Sequence, residues 1–423
     1  MSKIRIWLMS LFLLILFVFL SGCYVEGDVI SSPPAFTESS NPTEITSSFI
    51  PERTKTPVPN GEILNDDHAC ISLDSRNIDV GDFQDSILVE LYKVGDIIFD
   101  FSATISISDI FGFITVSPDQ EKIAYYEPES SILSILDSSG TVQKNHYLQQ
   151  GLRLAEWVSE DRLLFFLGDE EPDSAVIYNI TSFEKEIIPL DFPQISLGEN
   201  QPGANWYRIL GQYNRLVFDP IFSIVLYPSA DNLYNPYGDL IIWGITEGLE
   251  IGRIPGIDRF TTKPQFSQDG ETFVTEVLSK RKVAEADETS SPYDGSKGNL
   301  ILVDIEGNIS YLTDFQSDIR IYHYSWSPDG NKIAFWMNNK KNSSDGGLLG
   351  IMELPSKSLT SYCIWGFGKI LWSPNGKYLL VNSQKDYKLN DFPTVSIISL
   401  EDNWRSDIFE EAEAIGWLIR NDK

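Results

Sequence analysis

Residues 323 to 336 read HYSWSPDGNKIAFW, and a second stretch of the same design, ILWSPNGKYLLV, follows at 370 to 381. Ser-Pro-Asp-Gly suits a type I turn: Ser at the first position, Pro with its preset φ at the second, Asp at the third, and Gly free to take a positive φ at the end. The residues beyond it alternate, as Ile333 and Phe335 or Leu379 and Val381 do, which is the period of a half-buried strand. The aromatic before it, Trp326 or Trp372, closes the preceding strand. Each unit is therefore strand, tight corner, strand.

Weaker copies extend the pattern. FSQDGETFV at 266 to 274 and VSPDQEKIAY at 116 to 125 fit well, WVSEDRLLFF at 157 to 166 fits with one residue deleted, and FDPIFSIVLY at 218 to 227 fits loosely. The residues preceding the corners, Val116, Trp157, Phe218, Phe266, Trp326 and Trp372, together with Trp417, form seven marks with a mean spacing near 50 residues. A second hairpin-like pair lies between successive marks, as in SILSILDSSGTVQ and LILVDIEGNISYLT. Four antiparallel strands per period of this length describe a propeller blade. The expected fold is all-β, a propeller of seven four-stranded blades, with six or eight as alternatives because the marks at 157 and 218 are degenerate.

The WSPDG corner followed by KIAF, and then by a strand pair ending near YLT, resembles the TolB-like β-propeller repeat, a relative of the WD repeat. The resemblance runs from about Asp66 to the C-terminus and implies a propeller in a bacterial envelope protein. The stretch before it is too short and too polar for the extra α/β domain of TolB itself, so a Tol–Pal partnership is not implied. Trp417 lies on a strand with no sequel, whereas ACISLDS, SILVELYKV and IIFDFSA, between Ala69 and Ala103, offer three strands with no predecessor. Joining them makes one composite blade, closes the ring and removes two exposed strand edges.

The N-terminus speaks to location. Lys3 and Arg5 precede an apolar run from Ile6 to Leu20, and the run ends in LSGC, Leu20 to Cys23. A basic segment, an apolar core and small residues before a cleavage point form an export signal. LSGC resembles the lipobox of bacterial lipoproteins, which implies a signal peptide over 1–22, lipidation at Cys23, and anchoring at the cell membrane or the outer membrane. An uncleaved signal anchor or an ordinary secretory peptide is the alternative. Residues 23–62 are rich in Ser, Thr and Pro and hold too few large apolar side chains to fold, so they read as a tether. The propeller is assigned to 63–423. In an oxidising compartment Cys70 and Cys363 have the opportunity to pair, but nothing in their spacing requires it, and two small buried hydrophobes are the other reading.

With 42% apolar and 12% aromatic residues the chain has the means to bury a large core. Its 61 acidic residues against 32 basic ones leave −29, a surface that repels phosphate backbones, so nucleic acid is excluded as a partner. The long connections, including 191 to 214, 228 to 239, 278 to 299, 338 to 347 and 383 to 392, all fall where propeller topology places them on one face. They carry Trp206, Tyr207, Tyr234, Tyr237, Tyr293 and Tyr387, aromatics of the kind favoured in recognition surfaces, and these form the candidate ligand face. Tolerated insertions with their aromatics folded onto the rim are the alternative.

Chemistry finds little support. The three histidines, His68, His146 and His323, lie far apart with no metal-ligand spacing. Nucleophile-elbow and P-loop patterns are absent, and Ser267 to Phe273 misses the sialidase Asp box by one residue. Calcium-loop spacing is lacking, and glycosidase carboxylate pairs cannot be picked from so many acids. No catalytic residue, cofactor or metal is assigned. The expectation is a monomeric, membrane-anchored propeller that binds a protein, peptide or other envelope ligand without catalysis. The rivals are a glycan hydrolase or lyase with its site at the channel mouth, and a scaffold subunit of an envelope complex.

Overall fold

The computed structural model describes residues 70–78, 86–91, 96–99, 103–106, 113–167, 174–189, 216–229, 237–258, 263–280, 293–315, 318–339, 347–383 and 394–419. The assigned leader, Cys23 and the tether lie outside these residues. So do His68, Trp206, Tyr207, Tyr234 and Tyr387.

The described residues form strands and no helix. In chain order, a short β1 (Asp74–Ser75) precedes a sheet containing β2 (Ser86–Leu91), β3 (Asp96–Phe99) and β4 (Ala103–Ser106). The next four-stranded sheet is β5 (Phe113–Val116), β6 (Lys122–Glu127), β7 (Ile132–Asp137) and β8 (Val142–Tyr147). Then come β9 (Leu152–Ser159), β10 (Arg162–Leu167), β11 (Ser174–Asn179) and β12 (Lys185–Pro189). A further sheet holds β13 (Val217–Phe218), β14 (Ile224–Pro228), β15 (Tyr237–Gly244) and β16 (Leu249–Asp258). It is followed by β17 (Gln265–Phe266), β18 (Thr272–Lys280), β19 (Tyr293–Asp304) and β20 (Ile309–Tyr311). The remaining strands are β21 (Ile319–Trp326), β22 (Lys332–Asn339), β23 (Gly347–Glu353), β24 (Ser358–Trp372), β25 (Tyr378–Ser383), β26 (Thr394–Ser399), β27 (Trp404–Glu410) and β28 (Ala412–Leu418).

Strands β21 to β27 join β1 in one eight-stranded sheet, because the 15-residue β24 belongs to two sectors at once. Its first part pairs with β23 as a fourth strand, and its last part pairs with β25 as a first strand. The C-terminal β28 joins the first sheet, pairing antiparallel with β2 from Leu418 opposite Ser86 to Ala412 opposite Leu91. The chain therefore closes on itself, and the architecture is a β-propeller.

Apolar clusters fill the seams between successive sectors. Leu133 and Ile135 pack with Val176 and Tyr178, Phe166 with Val225, Phe273 with Ile242, and Phe335 with Val274. Trp336 meets Val381, and Val395 meets Ala414 and Trp417. The circuit returns to its start where Leu418 and Leu88 pack with Ile123 and Leu136. At about 25 cal/mol per Å² of apolar surface, these seams are the main source of stability.

The corner motif acts as read, with one addition. Ser117, Ser267, Ser327 and Ser373 each accept an N–H from the residue three ahead at their carbonyl, at 2.8 to 3.0 Å. Gly270, Gly330 and Gly376 take positive φ at that third-ahead position, and Gln120 and Phe222 hold the same left-handed backbone without being glycine. The addition is the serine hydroxyl. It donates to the Asp or Asn two residues on, as Ser327 does to Asp329 at 2.6 Å, and accepts the N–H five residues on, as from Lys332 at 2.8 Å. The near miss for an Asp box, Ser267 to Phe273, is one of these corners.

One expected element is displaced. The composite sheet draws its other three strands from 86–91, 96–99 and 103–106, not from ACISLDS. That stretch instead runs parallel along two outer edges. Ile71 donates to Ser361 O at 2.8 Å and accepts from Cys363 N–H at 2.9 Å, while Asp74 and Arg76 donate to Asn403 O and Arg405 O at 3.0 and 2.9 Å. Cys70 and Cys363 are joined by a disulfide, with Cα atoms 5.1 Å apart and a sequence separation of 293. The arm covers two edges that would otherwise offer unpaired backbone groups, which is why a short apolar segment is stable outside the ring.

Candidate functional site

The corners turn at one end of the sectors, so the second-to-third strand connections leave from the other. At that other end, three sectors are held together by buried charge. Glu276 is the fifth residue of β18 and Arg320 the second of β21, and both lie on strands that are otherwise apolar there. Glu276 is 1% exposed and Arg320 4%. The guanidinium donates Nε to Glu276 Oε1 at 2.9 Å and Nη2 to Glu276 Oε2 at 2.8 Å, a two-pronged pair. Nη2 also reaches Asp258 Oδ2 at 3.2 Å, at the last residue of β16, and Nη1 donates to Gly295 O at 2.9 Å in β19. Burial by itself disfavours the charged guanidinium. The Glu276 carboxylate and its hydrogen bonds outweigh that and hold the Arg320 pKa above its ordinary value.

Glu276 has a second duty. Its Oε1 accepts the Ile321 N–H at 2.8 Å, and Asn382 accepts the Ala414 N–H at 2.9 Å from the equivalent place in its own sector. In both cases the fifth residue of a second strand caps the third residue of the next sector's first strand. Glu276 is thus the charged version of a latch between sectors.

Two of the six candidate aromatics stand beside this cluster. Tyr237 begins β15 and pairs in register with Asp258, the carboxylate on Arg320. Its hydroxyl occupies the space that a side chain at Gly295 would need, so glycine there is required by close approach. Tyr293 begins β19, with its ring against Gly256, and burial followed by the nearby Asp239 charge raises its pKa. Both rings are half-buried. Tyr322 lies under the Arg320 guanidinium, 5.5 Å from its carbon to the ring centroid. The structure therefore gathers Tyr237 and Tyr293 at one seam, on a base of buried ion pairs.

Asp258, Glu276 and Arg320 escaped the sequence reading, although a charge at an inward position of an apolar strand, as in FVTEVLS or DIRIYHY, was the available signal. His146 and His323 are not brought together, and among the described residues no group of three or more His, Cys, Asp or Glu side chains is placed to hold a metal ion. Both carboxylates at the site are engaged by Arg320, which suits a positioning role better than proton transfer.

No protein-family model and no curated protein matches the chain. Among solved structures it is similar to an oligogalacturonate lyase in complex with manganese, at 10% identity over 77% of this chain and 84% of that one, with a TM-score of 0.48. It is also similar to the β-propeller domain of Myceliophteria thermophila Cps50 (Swd1), at 14% identity over 76% of this chain and 95% of that one, with a TM-score of 0.40. Both likenesses are of the fold, and nothing of lyase chemistry or of Swd1 is carried to this chain.

Proposed function

We propose that the chain is an exported, lipid-anchored β-propeller of seven blades that binds a protein or peptide ligand through the loop-bearing end of its sectors and performs no chemistry there. The observation that carries the reading is the placement of Tyr237 and Tyr293 at that end, on a base held by Arg320, Glu276 and Asp258. Rigid aromatic area on a preorganised base is what recognition surfaces use, since little side-chain freedom is lost on binding. The proposal assigns Trp206, Tyr207, Tyr234 and Tyr387, which lie outside the described residues, to the same face.

Export and anchoring rest on the leader ending in LSGC, with Cys23 as the lipidated residue. The Cys70–Cys363 disulfide supports this, since such bonds persist outside the reducing cytosol. Kinship with the TolB-like repeat rests on the WSPDG corners.

The reading is tested by recovering bound proteins from membranes with the full chain and with a Tyr237→Ala, Tyr293→Ala variant. A protein retained by the first and lost by the second, with the variant still folded by circular dichroism, is the expected result. The same set of proteins from both would refute the face. In parallel, Cys23→Ala should move the chain out of the membrane fraction; retention there would refute the lipid anchor.

A further inference from the structure

At the rim of the seam between the sheet β5 to β8 and the sheet β9 to β12, side chains of β8 meet Phe183, just before β12, in a partly exposed patch. On β8, Lys144 and His146 lie opposite Ile135 and Leu133, which belong to the seam's core, so both side chains face the adjoining sheet. On β12, Ile187 lies opposite Val176 of the same core, so Ile187, Lys185 and the preceding Phe183 face back. Glu184 and Glu186 alternate onto the opposite face, the one shared with Ile188 and the following seam. The patch therefore carries two lysines and two exposed apolar side chains, Phe183 at 39% and Ile187 at 49% exposure, with no carboxylate on its facing strand positions.

Several cations elsewhere on the described surface meet acids, although Lys357 donates to Ser310 and to the Tyr311 carbonyl. Arg253 meets Glu250 and Asp239, Lys263 meets Glu156, and Arg405 meets Asp407. Lys144 instead stands over the Phe183 ring at 4.6 Å, and Lys185 donates to the neutral Gln149 at 2.8 Å. The His146 imidazole stacks on Phe183 at 3.9 Å, and burial, then Lys144, lowers its pKa, so it adds no charge at neutral pH. Two lysines without carboxylate partners among the described residues, on a chain of net charge −29, mark a place where an anionic partner is favoured against the general repulsion of the surface. The outer edges of this fold also accept added backbone, as residues 71–76 do along β24 and β27.

We propose that the rim patch between β8 and β12 binds an extended acidic peptide segment of a partner protein. Its carboxylates would lie on Lys144 and Lys185, and its apolar side chains on Phe183 and Ile187. This site is on the rim, away from the loop-bearing end, and stands or falls separately from the ligand face.

The test uses the full chain and a fluorescent synthetic peptide of alternating Glu and Leu, with an alternating Lys and Leu peptide as control, read by anisotropy. Saturable binding of the acidic peptide alone is expected, weakened about tenfold or more by Lys144→Glu with Lys185→Glu. Lys377→Glu, at a remote exposed lysine beside Glu401, should leave it unchanged. Hydrogen exchange should show new protection in residues 142–147. Absence of saturable binding, equal loss with Lys377→Glu, or protection only elsewhere would overturn the proposal. Displacement of the probe by a peptide of residues 37–49 at higher affinity would overturn it in favour of the chain's own segment.

Discussion

The indole Nε1 of Trp417 donates to the carbonyl of Leu371 at 3.0 Å, and so ties the strand that closes the ring to the sector before it. The same bond recurs around the molecule: Trp157 to Thr115 at 3.1 Å, Trp326 to Gln265 at 3.2 Å and Trp372 to Ser325 at 3.1 Å. In every case the acceptor immediately precedes the previous sector's mark. The recurring aromatic is thus a hydrogen-bonded link between neighbouring first strands, which explains why tryptophan is favoured over phenylalanine at these positions. Trp417→Phe keeps most of the packing and loses the bond, so a loss of about 1 to 2 kcal/mol is expected in urea unfolding. Trp417→Ala should cost about 3 to 5 kcal/mol. Truncation before Trp417 should lower the melting temperature of the whole domain, because it leaves two open edges. A truncated chain that melts like the intact one would contradict closure.

Gly330 takes φ +67 at a corner where an added Cβ would meet nothing within 4 Å. Gly330→Ala therefore isolates backbone strain, and the expected loss is about 1 to 2 kcal/mol in the same unfolding assay. The corners that lack glycine gain something in exchange. Phe222 is buried in the adjoining core, and Gln120 donates its side-chain amide to Trp372 O at 3.2 Å.

The Glu276–Arg320 pair should show strong coupling. Glu276→Gln or Arg320→Met alone leaves a buried charge without its partner, with an expected cost of about 3 to 5 kcal/mol. The double variant should be less destabilised than the sum of the two, and a double-mutant cycle measures the difference. Additive costs would mean that the two charges act separately.

Acid sensitivity should map partly to the corners. The Ser327 hydroxyl, and then burial opposed by the Asn331 bonds, leave Asp329 with a pKa below its ordinary value. A carboxylate with a depressed folded pKa contributes stability that is complete above its unfolded pKa and is lost as pH falls through the folded one. Asp329→Asn should keep the corner, since Asn375 fills the equivalent place and accepts from Ser373 at 2.8 Å, and at pH 7 should lose only what the ionised carboxylate adds. Below about pH 4 the variant should lose stability less steeply than the parent chain. Parallel acid limbs for the two proteins would exclude the corner carboxylate as a contributor.

The propeller was legible because its signal is local. Ser-Pro-Asp-Gly specifies a corner within four residues, the following alternation specifies a strand, and repetition supplies the rest. ACISLDS was misplaced because an alternating apolar segment reads alike whether it pairs antiparallel inside a sheet or parallel along an edge. What decides between these is the partner, here Tyr362 and Trp404, hundreds of residues away. The disulfide was open for the same reason. The Arg320 cluster was hidden among 61 acids, since Asp258 and Glu276 become neighbours only when the registers of three sectors are known. The end of the sectors at which Tyr237 and Tyr293 lie was legible because topology alone puts the connection into each third strand, here β15 and β19, at the end opposite the corners.

The central claim is that this end takes the ligand, and site-specific photo-crosslinking tests it most directly. A photoreactive residue is placed at Tyr237 or Tyr293, and for comparison at Glu271 or Asn331 in the corners of the opposite end. The crosslinking is performed in cells that naturally express the chain. Adducts of one defined mass from the first two positions and none from the corners are predicted. Adducts from the corners with none from Tyr237 and Tyr293 would contradict the account.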